Sequence, residues 1–225
     1  MDYRAFATDY DGTVAHDGRV NEPTLRALER LRDAGFRIIL VTGREVRDIC
    51  AVFPETGLCD RVVAENGAVL YRPARGEEIV LGERPPSALL EALRSRGVGP
   101  FSVGECIVAM EIEHQKAVLD AIHELHLSWQ VILNKGTLTI LPAGVDKGSG
   151  LSVALAELGI TAWEVVAVGD AENDLPFVEM CGFSAAVANA LPILKEHSNL
   201  VTRGERGAGV IELIEKLLGG DLPIS

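Results

Sequence analysis

Short apolar runs alternate with helical stripes along much of this chain, and that alternation constrains its fold more than any other feature. Residues 3–7 and 36–41, then Arg61–Ala64 and residues 164–168, have the length and composition of buried strands. Between the first two, Asn21-Glu22-Pro23 is a helix start, and Leu25, Leu28 and Leu31 with Ala27 and Ala34 form an apolar stripe that Gly35 closes. A second helix carries Val46, Ile49, Cys50 and Phe53, and a later one spans Lys147–Leu158. Strands interleaved with helices imply right-handed crossovers and a parallel sheet covered on both faces, the α/β class. Residues 68–71 add a further strand, and the last third supplies strands at 183–187 and 199–201 and a helix at 209–218.

The pattern changes in the middle. Residues 72–86 hold three prolines and a charged patch, the marks of a linker. Beyond it come a helix (86–96), strands at 101–103 and 106–113, a helix (114–127) and a hairpin pairing 129–133 with 137–141 across Asn134-Lys135-Gly136. Helix-strand-strand, occurring twice, describes a small α+β domain inserted into the larger one. The division is 1–82 and 143–225 for the core, and 83–142 for the insert.

The polar residues then fall at telling places. Asp9, Thr42 and Asp170 each follow the carboxyl end of an expected parallel strand, where open α/β sheets bind ligands. Asp9 and Asp11 lie two apart, so both reach one ligand only if the chain bends at Asp11-Gly12. An Asp-Gly hairpin turn also fits that stretch alone. Lys147 opens a helix, whose first amides favour anions. Thr42-Gly43 also suits a plain cap and turn, Lys147 a solvated surface, and Asp170, Asn173 and Asp174 a helix start. All these separate explanations would have to hold together, and the coincidence of three such residues at strand ends favours one shared site.

Charge narrows the ligand. The chain has 33 Asp+Glu against 21 Lys+Arg, a net −12, which argues against nucleic acid and permits a divalent cation. Cys50, Cys59, Cys106 and Cys181 are widely spaced without a C-x-x-C pair, which speaks for reduced thiols in a cytoplasmic setting and against zinc. No apolar run approaches the length of a membrane span, and charges interrupt any signal-like N-terminus. No sequence feature fixes an oligomeric state.

Taken together, Asp9-Tyr10-Asp11-Gly12-Thr13, Val41-Thr42-Gly43-Arg44, Lys147 and Gly169-Asp170 through Asn173-Asp174 resemble the four motifs of haloacid-dehalogenase-superfamily phosphatases. The likeness is to the Cof-type group, whose cap is inserted between the second and third motifs and which includes sucrose-phosphatase-like and archaeal phosphoglycolate-phosphatase-like members. Residues 140–148 and Glu65-Asn66-Gly67 are similar to that group too. The resemblance implies a Rossmann-like parallel core with a small cap, and a Mg2+-dependent phosphatase acting on a small phosphate ester. It implies Asp9 as nucleophile and Asp11 as acid and base. It further implies Mg2+ on Asp9, the Asp11 carbonyl and Asp170, with Asp174 in support, and phosphate held by Thr42, Gly43, Lys147 and Asn173. Arg44, Gly104-Glu105 and the 134–136 turn are expected to meet the organic part of the substrate.

Two other functions share parts of this pattern. A phosphomutase with a related cap needs cap cations to reorient a bisphosphate, and Arg94 and Arg96 are the only arginines between Arg84 and Arg203. A phosphoacceptor receiver combines acids, Thr and Lys on a parallel sheet, but is about half this length and places its acidic pair before the phosphorylated Asp.

Overall fold

The computed structural model describes residues 3–134 and 136–223; Lys135, expected at a hairpin tip, lies outside them. The chain opens with β1 (Ala5–Asp9), every residue of which is buried. Next come α1 (Glu22–Asp33), β2 (Arg37–Val41), α2 (Val46–Val52) and β3 (Arg61–Ala64). Asn21 caps α1 by accepting from the Thr24 amide at 3.0 Å, and Leu28 and Leu31 of that helix are buried. Burying each leucine contributes roughly 1.5–3 kcal/mol.

After β3 the sheet reverses direction. β4 (Val69–Arg72) and β5 (Glu77–Val80) pair antiparallel to extend it at one edge. The expectation of a linker over residues 72–86 is therefore corrected in part. Glu77-Glu78-Ile79-Val80 is an edge strand whose charged side chains face solvent, which suits a position with only one neighbour.

The insert follows as α3 (Ser87–Ser95), β6 (Phe101–Val103), β7 (Val108–Glu111), α4 (Gln115–Glu124), β8 (Trp129–Asn134) and β9 (Thr137–Pro142). Its four strands make a separate antiparallel sheet in the order β6-β7-β9-β8. Leu89, Leu93, Val108, Val118, Trp129, Leu138 and Ile140 give that sheet and its helices a core of their own.

The chain then returns through α5 (Lys147–Leu158), β10 (Val165–Gly169), α6 (Leu175–Val178), β11 (Phe183–Ala186), α7 (Pro192–Glu196), β12 (Leu200–Val201) and α8 (Arg206–Gly219). The large sheet runs β12-β11-β10-β1-β2-β3-β4-β5, parallel from β12 to β3. Helices α1 and α8 pack on each other, while α5 lies across β2, β3 and β4. Gly67, in the turn after β3, has φ +106°, and a Cβ there would stand 1.9 Å from the Asp146 carbonyl oxygen. The missing side chain lets the start of α5 sit against the end of β3, which carries Lys147 to the strand ends.

The central strands β1 and β10 pair directly, Ala5 with Val165 through Thr8 with Val168. Their carboxyl ends bring Asp9 and Asp170 side by side.

Candidate active site

Asp9 closes β1 and Asp170 follows β10, so the sheet places both by register rather than by loop conformation. Asp174 sits one short turn further on and is wholly buried. One carboxylate oxygen from each of these three residues lies within 4.8 Å of the others. Such crowding of anions demands a cation, and Lys147 supplies one. Its Nζ donates to Asp9 Oδ1 at 2.7 Å and to Asp174 Oδ1 at 2.6 Å.

Lys147 reaches that point because α5 begins there. Asp146 caps the helix through the Ser149 amide at 2.7 Å, and the Ser149 hydroxyl donates back to the Asp146 carbonyl. Burial presses the ammonium toward neutrality, but Asp174 and Asp9 outweigh it and raise its pKa. Burial pushes the Asp9 carboxyl up to about 7; Asp174 and Asp170 push the same way, and Lys147 opposes. A lone lysine cannot neutralise three buried carboxylates, so the cluster is still short of positive charge.

The hydrogen bonds divide the acids by task. Asp174 Oδ2 accepts from the amides of Asp170 at 2.8 Å and Ala171 at 2.9 Å, and Lys147 occupies its Oδ1. Its carboxylate thereby fixes the loop that presents Asp170. Asp9 Oδ2, by contrast, is buried with no donor among the described residues. An uncompensated buried carboxylate oxygen beside two further acids fits a hard cation taking oxygen ligands. Asp9 and Asp170, with Asp174 behind them, are the residues able to hold it.

The opposite wall comes from β2 and β3. Thr42 follows β2, is buried, and its hydroxyl accepts from the Arg44 amide at 3.2 Å. A Cβ on Gly43 would meet the Asn66 amide group at 3.1 Å, so this stretch of backbone is held close against its neighbour. Asn173 Nδ2 donates to Asn66 Oδ1 at 3.0 Å, while Asn173 Oδ1 is buried without a donor among the described residues.

Asp11 takes a different position from Asp9. Arg44 holds its carboxylate with two bonds, Nε to Oδ2 at 2.6 Å and Nη2 to Oδ1 at 2.8 Å. Arg44 also reaches Asp48 at 2.5 Å and lies over the Tyr10 ring, 5.6 Å from its centroid. The guanidinium expected to meet substrate is thus engaged by two acids. Burial, then Asp11, pushes the Tyr10 phenol up to about 12.

Beside this crevice a cavity of about 510 Å³ opens between α2 and the small sheet. Arg44, Glu45, Arg47 and Asp48 line one side, and Ser102, Ile107 and Ala109 the other. Arg47 has no carboxylate within ion-pair distance among the described residues. Neither Arg47 nor Asn189 was expected from sequence. Asn189 Nδ2 donates to the Gly12 carbonyl at 2.9 Å and reaches Asp170 Oδ2 at 3.4 Å, tying the first motif to the fourth. Its signal was its place just beyond β11, one more polar residue near a strand end. Arg47 gave none, because a charged residue in a short helix usually faces water.

Known proteins give this geometry a context. The sequence profile of haloacid dehalogenase-like hydrolases matches residues 6–94 and 101–214. The chain is 33% identical over 225 residues to a phosphoglycolate phosphatase of Methanothermobacter thermautotrophicus, covering 96% of this chain and 99% of that protein. A phosphoglycolate phosphatase of Archaeoglobus fulgidus is 31% identical over 224 residues, with 95% and 96% covered. Among solved structures, a Thermoplasma acidophilum protein superposes with a TM-score of 0.85 at 17% identity, covering 97% of this chain and 99% of that one. A sugar phosphatase of HAD subclass IIB superposes with a TM-score of 0.78 at 18% identity, covering 97% and 100%.

Proposed function

Since the chain belongs to the haloacid dehalogenase-like hydrolase family and is an enzyme of the phosphatase type, we propose that it is a Mg2+-dependent phosphomonoesterase working through an aspartyl-phosphate. The carrying observation is the buried bridge from Lys147 to Asp9 and Asp174 beside an Asp9 Oδ2 that has no donor among the described residues. In this reading Asp9 attacks phosphorus, a new P–O bond forms, and the ester P–O bond breaks. The electron pair leaves on the ester oxygen, which takes a proton from Asp11. Water then attacks the same phosphorus, Asp11 accepts its proton, and the Asp9–phosphorus bond breaks to release phosphate.

Each neighbour has a part. Lys147, the Thr42 hydroxyl, the Gly43 amide and Asn173 hold the phosphoryl oxygens, which is most of what phosphoryl transfer asks of a protein. Asp9, Asp170 and the Asp11 carbonyl hold Mg2+, with Asp174 fixing the Asp170 loop. When bound, the cation offsets phosphate charge and polarises the phosphoryl oxygens. Arg44 restrains Asp11 between steps, and one of its two bonds gives way when Asp11 meets the leaving oxygen.

The substrate we propose is a small phosphorylated metabolite in the cytosol, phosphoglycolate or a sugar phosphate. The relatives named for phosphoglycolate support the first, as does Arg47, which lines the cavity without an ion-pair partner among the described residues and suits a carboxylate-bearing ester. A mutase fits less well. Arg94 lies over the Phe101 ring and Arg96 pairs with Glu124, so neither is spare for a second phosphate.

The test is hydrolysis of phosphoglycolate and p-nitrophenyl phosphate with Mg2+. Activity should vanish in excess chelator and return with added Mg2+. Full turnover in chelator, unchanged by Mg2+, would overturn the reading.

A further inference from the structure

Glu65 is buried but belongs to neither the acid cluster nor the phosphate-facing wall. It follows β3 and takes a left-handed conformation, φ +51°, with Asn66 next to it at φ +53°. Side chains seldom adopt that region, and two in succession cost free energy that something nearby must offset. The Glu65 amide donates to the Arg44 carbonyl at 2.9 Å, and the Asn66 amide to the Thr42 carbonyl at 3.0 Å. The backbone of this turn is thus fastened to the second motif.

The Glu65 carboxylate points the other way, into the insert. Its Oε1 accepts from the Glu105 amide at 2.9 Å and its Oε2 from the Cys106 amide at 2.8 Å. Both oxygens therefore meet backbone donors in the turn between β6 and β7. That turn is closed by the Gly104 amide donating to the Ile107 carbonyl at 2.9 Å. It also approaches as near as chain geometry allows, since a Cβ on Gly104 would stand 2.6 Å from Glu65 Oε1. Burial raises the Glu65 pKa, and the amides of Cys106, Glu105 and Ile107 pull it back, as expected of a carboxylate committed to those donors.

Position gives the contact its meaning. Ser102 and Ala109 lie on the strands flanking this turn, Ile107 lies just beyond it, and all three form the insert's wall of the cavity. On the core side, Asn66 accepts from Asn173 and packs against Gly43. One three-residue turn thus touches the phosphate-side residues with Asn66 and the insert with Glu65.

We propose that Glu65 is a positioning residue that clasps the 104–106 turn to the core and so sets the wall facing the organic half of the substrate. The kinetic part of this inference rests on the phosphatase reading; the clasp itself does not. Losing it should weaken recognition of the ester while leaving the phosphate pocket as it is.

The experiment compares the full chain with Glu65→Gln, which places an amide donor against a backbone donor. A second variant, Gly104→Ala, pushes the same turn away without altering Glu65. Hydrogen exchange of peptides spanning residues 104–107 should speed up by about tenfold in both variants, with peptides around Asp9 and Asp170 unchanged. The KM for phosphoglycolate should rise by roughly tenfold with kcat within about threefold, and the competitive Ki of inorganic phosphate should stay constant. Unchanged exchange at 104–107 would overturn the clasp. So would a Ki rising in parallel with KM, because Glu65 would then act on the phosphate pocket. If one variant fails to fold, the other decides. Should the wild-type protein hydrolyse no ester, the phosphatase reading falls and the exchange comparison still tests the clasp.

Discussion

The crevice at the strand ends and the wall contributed by the insert are built on opposite plans. In the crevice, charged groups from three distant stretches of chain are buried and joined by bonds of 2.6–2.9 Å between Lys147, Asp9, Asp174 and the Asp170 loop. In the insert, the cavity wall is Ser102, Ile107 and Ala109, small or apolar groups without a charge among them. On the proposed reading the first plan would fix the position of a phosphate, because displacing any member leaves a buried charge uncompensated. The second leaves the shape of the organic group adjustable, since an apolar pocket discriminates by only ~1–3 kcal/mol per methylene.

Separating the two carboxylates of the first motif gives the largest expected effect. Asp9→Asn removes the attacking oxygen and should lower turnover by about a thousandfold or more, with no phospho-enzyme formed. Asp11→Asn keeps the nucleophile. With p-nitrophenyl phosphate, whose leaving group needs little protonation, it should give a burst of about one nitrophenol per site and then slow turnover. An alkyl phosphate should show almost no burst. Stopped-flow absorbance reads the first, and an active Asp9→Asn enzyme would place the nucleophile elsewhere.

Replacing residues 83–142 by a short Gly/Ser linker sharpens the contrast from the other side. The core retains its own buried set, so a soluble protein should remain, able to bind inorganic phosphate but with its ranking of phosphate esters flattened. A panel of esters at fixed Mg2+ checks this; a ranking that survives excision would return selectivity to the crevice.

The smallest effect tests Arg47, a cavity-lining cation with no carboxylate within ion-pair distance among the described residues. Arg47→Ala should raise KM for a carboxylate-bearing ester by roughly tenfold and for a neutral sugar phosphate by less than about twofold, with kcat little changed. Equal changes for both esters would remove Arg47 from recognition.

The sequence carried the crevice better than its surroundings for a physical reason. Asp9, Thr42 and Asp170 are placed by strand periodicity and sheet register, both of which are local patterns. Lys147 adds a helix start bounded by Asp146 and Gly159. Glu77-Glu78-Ile79-Val80 read as linker because an edge strand needs little apolar character, and its partner at Val69–Arg72 supplies the ladder. The grip of Arg44 on Asp11 joins residues 33 apart, and that of Asn189 on Gly12 joins residues 177 apart. No spacing rule connects such pairs. The proposed clasp was similarly out of reach: Glu65 stood only in a stretch similar to the Cof-type group, and Gly104-Glu105 was expected to meet substrate rather than Glu65.

The return of the chain from the insert bears on how such enzymes can be diversified. β9 ends at Pro142, five residues before Lys147, and Gln130 Nε2 donates to the carbonyls of Pro142 at 3.2 Å and Val145 at 2.6 Å. The Ala143 amide donates to the Ser128 carbonyl at 2.9 Å. This seam offers no slack, so lengthening it would shift the lysine that two buried acids depend on. The loop after α3, around residues 97–100, leads into edge strand β6 and the clasped 104–106 turn rather than into Lys147, and its Val98 is buried in the insert's core. Grafted segments that keep Val98 and β6 in place should be accepted there, at the opposite edge of the small sheet from β8, which leaves the insert more open to remodelling at its outer edge than at its root.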